Sequence, residues 1–269
     1  MKTLANQTLI YDEDCPLCRV YTAGFVKAGM LDANGKKPFS QMQSCPYIDV
    51  SRAANEIALV DTKNGKAIYG IDSLLAVLGN SFPWIAKISK FAPVHFGLRK
   101  VYSFISYNRK VIMPNPKNTT KHVECLPDFN FKYRIAYLIF ATFLTAITLH
   151  AYAAFLPKIA GNNLATELVL ASAQIVFQAI FLFKYDVRTI VNYAGNLMTV
   201  SLFGAILLTP MLIAGEFFHI NEFVGTNYFL LVATIMFIEH FRRVELLGLP
   251  KILCATWILY RLLFLFFLF

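Results

Sequence analysis

The sequence predicts two parts, a small α/β domain at the amino-terminal end and an all-α bundle of about five transmembrane helices after it. Hydrophobic residues make up 57% of the 269 residues and charged residues only 15%, a balance typical of membrane proteins. The excess of apolar residues lies almost entirely after Tyr133. We therefore divide the chain into a domain at 1–113, a linker at 114–132 and a membrane region at 133–269.

Signals for strands and helices alternate in the first part of the chain. An apolar run at 8–11 is typical of a first strand, and 19–28 indicates the helix after it. The Asn-Gly pair at 64–65 predicts a hairpin that joins strands at 56–61 and 66–69. The remaining predicted elements are a short strand at 39–42 and helices at 72–78, 83–90 and 94–113.

A Cys-x-x-Cys motif, Cys15 to Cys18, stands between the first strand and the first helix. A thiol at the start of a helix is favoured as a thiolate by the unpaired N–H groups and by the helix dipole. Cys18 lies one turn later, close enough to resolve a mixed disulfide. Pro16 suits the first helical position because its missing N–H would have no partner there. The arrangement favours thiol–disulfide exchange.

Three carboxylates, Asp12, Glu13 and Asp14, directly precede Cys15. Nearby negative charge disfavours a thiolate and so opposes the helix dipole. The residues alone leave the balance of these two influences open. Asp12, at the end of the predicted strand, is the candidate for transferring a proton to and from the dithiol.

The pattern Tyr11-Asp12-x-x-Cys15-Pro16-x-Cys18 resembles the signature of the DCC family, whose members are thioredoxin-like domains named for that Asp-Cys-Cys set. The resemblance covers about residues 7 to 116. It implies a thioredoxin-like fold for the α/β domain and a thiol–disulfide oxidoreductase activity. The blocks that carry it after the motif are 39–44, 58–61, 65–66, 70–75 and 101–110.

The functional hypothesis is a membrane-tethered thiol–disulfide oxidoreductase in which Cys15 attacks, Cys18 resolves and Asp12 handles the proton. Active thioredoxins place a cis-proline just before the strand that faces the cysteines, whereas Ala54 and Asn55 stand there in this chain. That departure keeps an alternative open, a non-enzymatic membrane subunit or scaffold whose thioredoxin-like domain docks a partner. Both hypotheses predict a protein partner, either a thiol substrate or a larger membrane complex.

No cofactor is expected beyond the redox-active dithiol. A zinc site typically needs four ligands in paired spacing, and the sequence has a single Cys-x-x-Cys, with Cys45 as a further conceivable ligand. We interpret Cys125 and Cys254 as small apolar residues. Zinc, and a membrane quinone that would exchange electrons with the dithiol, stay open as alternatives.

Basic residues cluster just ahead of the first predicted span. The stretch from Trp84 to Arg134 holds ten Lys and Arg residues against two acidic ones, a net charge of +8. Such clusters mark the cytoplasmic membrane surface, so we interpret them as contacts with membrane lipid and not with nucleic acid. The amphipathic helix at 94–113 closes the soluble domain, and its basic face can also rest on anionic headgroups.

The five predicted spans place the amino-terminal domain in the cytoplasm and the carboxyl terminus on the outer side of an inner or plasma membrane. The only outer-loop cation is Lys158, whereas five lie in inner loops, as the positive-inside rule requires. No signal peptide is expected, because 1–7 is polar. The fourth span is the weakest because it is short and ends in Glu239-His240. The spans are 133–156, 164–183, 193–215, 225–241 and 252–269.

Several polar residues fall inside the predicted spans, where they are costly unless they have a role. Glu239 and Arg261 are the candidate pair for an intramembrane salt bridge. The others either knit the helices together or line a ligand pocket, and no two histidines are placed at one depth to ligate a haem. They are His150, the i, i+4 pair Gln174 and Gln178, and the i, i+4 pair Asn192 and Asn196.

Overall fold

The computed structural model describes residues 2–41, 45–114, 128–156 and 163–267, with side chains up to residue 263. The chain forms two compact units, Met1–Tyr133 and Arg134–Phe269. This boundary lies within one residue of the predicted start of the membrane region.

The first unit is built on a four-stranded sheet in the order β2-β1-β3-β4. Strand β1 pairs in parallel with β2 and antiparallel with β3, and β3 pairs antiparallel with β4. The helix between β1 and β2 provides the crossover that a parallel pair needs. The strands are β1 Gln7–Tyr11, β2 Lys36–Pro38, β3 Ala58–Asp61 and β4 Lys66–Tyr69.

Helices cover both faces of this sheet. Side chains alternate along a strand, so the two faces of the sheet pack into two different apolar clusters. Leu9 and Leu59 belong to one cluster, and Ile10, Ala58 and Val60 belong to the other. Burial on both faces makes β1 and β3 the centre of the unit. The helices are α1 Pro16–Lys27, α2 Val50–Asn55, α3 Ile71–Ser81, α4 Pro83–Ser89 and α5 Ala92–Ile112.

The second strand lies earlier than the sequence predicts. Residues Lys36–Pro38 pair with β1, and Phe39–Gln41 form a 3-10 turn where the strand was expected. Pro38 has no N–H with which to continue the hydrogen bonds between β2 and β1. The side chain of Phe39 is buried in the same apolar cluster as Ile10. The last residue of the predicted strand, Met42, is outside the described residues.

Helix α2 is a feature that the sequence analysis missed. Its start carries an ordinary capping signal, because the carboxylate of Asp49 accepts a hydrogen bond from the N–H of Arg52 at 3.0 Å. The β3–β4 hairpin, in contrast, forms where the Asn-Gly turn predicts it. Gly65 there has a φ of +64°, a conformation in which a side chain would be strained.

The second unit is helical throughout its described residues. Three helical segments are long and apolar enough to span a membrane: Phe131–Phe155, Val187–Phe217 and Glu222–Leu246. Two apolar helices are shorter, so three helices have the length and composition of a membrane span where the sequence predicts five. The helices are α6 Phe131–Tyr152, extended by a 3-10 turn at Ala153–Phe155, α7 Leu164–Ile180, α8 Val187–Phe217 with Pro210 inside it, α9 Glu222–Leu246 and α10 Ile252–Phe267.

The prediction that the fourth span is the weakest is wrong. Helix α9 has 25 residues and continues past His240, whereas the short helices are those of the second and fifth predicted spans. The carboxylate of Glu239 pairs with Arg242 and Arg243 on the following turn, at 2.7 Å each. These i, i+3 and i, i+4 pairs stabilise α9 across the charged residues at which the predicted span ends.

Candidate functional site

The dithiol lies at the start of α1, as the motif predicts. Cys15 is the N-cap residue and Pro16 the first helical residue. The hydroxyl of Thr22 donates a hydrogen bond to the carbonyl of Cys18 at 2.7 Å. Both cysteines are free thiols, and only 2% of Cys15 and 7% of Cys18 is exposed.

The two cysteines line a cavity of about 200 Å³. Its other walls come from the end of β1, from the residues before β3 and from α5. The hydroxyl of Tyr102, on α5, accepts a hydrogen bond from the N–H of Ile57 at 2.9 Å, which fixes one wall. A slim group that enters this cavity reaches the sulfur atoms although little of them faces bulk solvent.

The site favours Cys15 as a thiolate. A hydrogen bond from the Cys18 thiol is the largest influence and lowers the pKa of Cys15 to about 6. Burial and the nearby Asp12 carboxylate act in the opposite direction, and the Arg109 guanidinium offsets part of their effect. The hydrogen bond from the partner thiol therefore outweighs burial and the Asp12 carboxylate.

The neighbouring groups keep their protons. The pKa of Cys18 is raised, first by its hydrogen bond to Cys15 and then by burial. Burial also raises the pKa of Tyr21, and it raises that of Tyr102 to about 12. At neutral pH Cys18 and both phenols are hydrogen-bond donors, whereas Cys15 is the group among them whose pKa is lowered.

Asp12 is held by cations from α5. Its Oδ2 lies 3.2 Å from Nη2 of Arg109 and 3.8 Å from Nζ of Lys110, and its Oδ1 accepts a hydrogen bond from the N–H of Asp14 at 3.0 Å. Burial raises the pKa of Asp12, and the two cations offset part of that rise. Asp12 is thus a buried carboxyl group beside the dithiol that can accept a proton.

Arg109 is the main site residue that sequence reasoning missed. Besides its ion pair with Asp12, its guanidinium donates hydrogen bonds to the carbonyls of Ala54 at 3.0 Å and Asn55 at 3.4 Å. It therefore joins α5 to the end of β1 and to the segment before β3. Arg109 and Tyr102 both fall in the 101–110 block, which was noted without a role for either residue.

The pH dependence of Cys15 alkylation tests this electrostatic arrangement. In a Cys45→Ser background, we expect the iodoacetamide rate at Cys15 to reach half of its maximum near pH 6. Cys18→Ala, which removes the hydrogen-bond donor, should move that midpoint up towards about 8.5. A wild-type midpoint above pH 8 would contradict the arrangement.

The other cysteines lie apart from this cavity. Cys45 is half-buried and does not line it, and Cys254 is buried in the apolar core of the second unit. Cys125 is outside the described residues. In the described part of the chain, no group of three or more His, Cys, Asp or Glu side chains is arranged to hold a metal ion.

The polar residues of the second unit form a buried hydrogen-bond network centred on Gln178. Its Oε1 accepts hydrogen bonds from the hydroxyls of Thr256 at 3.0 Å and Tyr193 at 3.3 Å. The Tyr193 hydroxyl also lies 3.0 Å from Nε2 of His240. Four helices are therefore joined by one network, which supports the interpretation that the amides of the spans hold the bundle together.

The predicted pair of Glu239 with Arg261 is wrong, because Glu239 pairs with Arg242 and Arg243 on its own helix. The two asparagines of the third predicted span do bind cations. Nη1 of Arg243 donates to Oδ1 of Asn196 at 3.0 Å, and Nη1 of Arg134 donates to Oδ1 of Asn192 at 3.2 Å. The sequence analysis counts Arg134 only among the basic residues near the start of the first span and Arg243 only as an inner-loop charge.

Gln174 and His150 lie outside this network. Gln174 is 2% exposed, and its Nε2 has no hydrogen-bond partner among the described residues. The buried Nδ1 of His150 likewise has none. The two glutamines share a helix face, as predicted, and Gln178 hydrogen-bonds to the neighbouring helices, whereas the Nε2 of Gln174 has no partner among the described residues.

These two glutamines provide a matched pair of variants. Gln178→Leu should lower the stability of the purified protein by about 1–3 kcal/mol, because it leaves the buried hydroxyls of Thr256 and Tyr193 without their acceptor. Gln174→Leu should be neutral or stabilising, because it replaces a buried amide whose N–H groups are unsatisfied. Thermal unfolding in detergent checks both, and equal losses would contradict the network.

No family model matches this chain, and neither the curated proteins nor the solved structures compared with it include a match.

Proposed function

We propose that this protein is a membrane-tethered thiol–disulfide oxidoreductase with a thioredoxin-like amino-terminal domain of the DCC kind. The observation that carries the proposal is the state of the dithiol. Cys15, at a helix start, has its pKa lowered to about 6 by its partner thiol, in a cavity with a buried carboxyl group and a guanidinium. This is the environment of a reactive cysteine, not of an inert buried one.

The sheet topology supports the thioredoxin-like part of the proposal. A parallel β1–β2 pair, a central β1–β3 contact and an antiparallel β4 edge are what such a domain requires, with the cysteines in the β1–α1 turn. Fold analogy alone does not establish an activity, so the argument rests on the site.

The reaction proceeds by two exchanges. The Cys15 thiolate attacks one sulfur of a substrate disulfide, forms a mixed disulfide and expels the other substrate sulfur as a thiolate. Cys18 then loses its proton and attacks the Cys15 sulfur, which releases the second substrate sulfur. The protein ends as a disulfide and the substrate as a dithiol. Two electrons are transferred, one proton comes from Cys18 and the other from the solvent.

Asp12 is the proton acceptor for the second exchange. Cys18 must be deprotonated when it attacks, although the site otherwise keeps its proton in place. A buried carboxylate whose pKa is raised accepts that proton more readily than an exposed one. Its contact with Arg109 keeps it beside the dithiol.

The charge distribution supports a cytoplasmic position for this domain. Lys and Arg are concentrated before the first membrane helix and in the alternate loops after it. In the reducing cytoplasm the pair rests as a dithiol, so the protein reduces a partner or senses oxidants. The narrow cavity suits a disulfide on an extended segment of a protein partner.

A redox titration of the purified full-length protein tests this function. Maleimide gel shifts of a Cys45→Ser variant across defined dithiothreitol ratios should give one reversible two-electron transition, at a potential between about −120 and −270 mV. If the pair stays reduced at every potential, or becomes accessible only after a chelator is added, the proposal is wrong.

One observation favours the alternative of a scaffold, namely that both sulfurs are almost fully buried. A scaffold uses the domain as a docking surface and needs no turnover. The double variant Cys15→Ser/Cys18→Ser separates the two functions. A scaffold keeps its partner and its cellular role after the change, whereas an oxidoreductase loses its role.

A further inference from the structure

A second and larger cavity, of about 380 Å³, lies inside the second unit. Residues from all five helices line it, and most of them are apolar, such as Leu149, Leu208 and Phe229. Small residues of α8, Gly204 and Ala205, form part of its wall. The volume falls within the roughly 300–1,000 Å³ typical of small-molecule sites.

Two charged side chains face this apolar space, Glu167 from α7 and Arg261 from α10. The hydroxyl of Tyr260 donates a hydrogen bond to the carbonyl of Leu170 at 2.5 Å. Because Tyr260 precedes Arg261 and Leu170 follows Glu167 by about one turn, this bond holds the two helices together at the level of the charges.

The two charges are close but do not neutralise each other directly. Arg261 and Glu167 lie within electrostatic range, yet no salt bridge between described side chains joins them. The guanidinium instead lies 5.7 Å from the ring centre of Trp257, one turn earlier on α10. Charged groups in apolar surroundings are costly and mark functional positions in membrane proteins.

We propose that this cavity binds a zwitterionic phospholipid. The lipid phosphate accepts hydrogen bonds from Arg261, the ammonium group of the headgroup lies against Glu167, and the acyl chains follow the apolar wall. A cation and an anion held apart on the protein complement the two opposite charges of such a headgroup. The proposal does not depend on the chemistry of the dithiol.

Charge complementarity selects this class of ligand over the others. The two side chains together carry no net charge. An anionic lipid would pair with Arg261, but its excess negative charge would be repelled by Glu167. An uncharged molecule would leave both groups without a counter-charge. His150, also within electrostatic range of Glu167, is the one further titratable group that acts on that carboxyl group among the described residues.

Lipid retention by the full-length protein tests the proposal. The protein is delipidated in detergent, mixed with equal amounts of phosphatidylethanolamine and phosphatidylglycerol, and examined by native mass spectrometry. The wild type should retain phosphatidylethanolamine preferentially. Arg261→Gln should lower that retention about 10-fold or more, the effect of losing a charge-assisted hydrogen bond.

Glu167→Gln gives the sharper test, because it leaves Arg261 as the one charge in the pair and should reverse the preference towards phosphatidylglycerol. The matched controls Glu216→Gln and Arg188→Gln change exposed residues that do not line the cavity and should leave the wild-type preference intact. No preference in the wild type, or none altered by Glu167→Gln, overturns the proposal.

If Arg261→Gln does not fold, a second variant still tests the proposal. Arg261→Lys keeps the positive charge and should keep the preference for phosphatidylethanolamine. If Arg261→Lys folds but binds both lipids equally, the proposal is wrong. Copurification of an uncharged amphipath in place of a phospholipid would also overturn it.

Discussion

Replacing Cys15 with serine is expected to reduce disulfide turnover to the uncatalysed rate, because the hydroxyl cannot replace the thiolate as nucleophile. The thiolate forms because Cys18 donates a hydrogen bond to Cys15 at the start of α1. The measurement is the dithiothreitol-dependent reduction of insulin by the full-length protein. Turnover that survives this change would show that the reaction does not use Cys15.

Cys18→Ser is the matched variant, because it leaves the attacking thiol in place. With Ellman's reagent and a background that lacks Cys45 and Cys125, the wild-type pair should release two equivalents of thionitrobenzoate and close its own disulfide. Cys18→Ser should release one and keep the other as a mixed disulfide. Two equivalents from Cys18→Ser would contradict the assignment of the resolving thiol.

Arg109→Gln is expected to destabilise the first unit by about 3–5 kcal/mol, because it leaves Asp12 buried without its closest cation. Two backbone carbonyls, those of Ala54 and Asn55, lose a donor in the same change. Thermal unfolding of the full-length protein in detergent should show a fall in Tm of at least about 10 °C for this unit.

The stability that Arg109→Gln loses should increase with pH. Burial already raises the pKa of Asp12, and removal of Arg109 raises it further. The folded protein then holds the proton more tightly than the unfolded chain, so stability falls as pH rises from the unfolded pKa, about 3.9, through the folded one. The defect of Arg109→Gln should therefore be larger at pH 8 than at pH 5.

Two further variants separate the ion pair from general damage. Lys110→Gln should cost less than about 1 kcal/mol, because Lys110 is partly exposed and lies 3.8 Å from the carboxylate. Asp12→Asn in the Arg109→Gln background should recover part of the stability, since it removes the unpaired charge. An equal loss in Lys110→Gln, or no recovery in the double variant, would contradict the ion pair.

The parts of the site that the sequence predicts are those set by near neighbours in the chain. Pro16 at the first helical position and Cys15 at the N-cap follow from local capping preferences, and the structure has both. The Asp12–Arg109 pair joins residues almost a hundred positions apart. No periodicity or spacing encodes such a pair, because it forms only when α5 packs against the end of β1.

Errors in the fold have equally definite causes. The second strand was placed on the apolar residues near Phe39, whereas the ladder uses Lys36 and Lys37, whose backbone pairs with β1 whatever their side chains. The sequence analysis ends the fourth span near His240 because charged residues follow there. In the structure, Glu239 pairs with Arg243 one turn later on the same helix, so the helix continues. Hydropathy reports neither the backbone hydrogen bonds between strands nor the ion pairs between side chains.

The length of helix α8 has a consequence for the bilayer itself. At about 1.5 Å per residue, its 31 residues reach roughly 46 Å. The hydrocarbon core of a bilayer is about 30 Å thick. A helix of this length that spans a membrane leans or bends, and Pro210 is the weak point of α8. Acyl-chain length in the host membrane is therefore a variable that sets how strained this protein is.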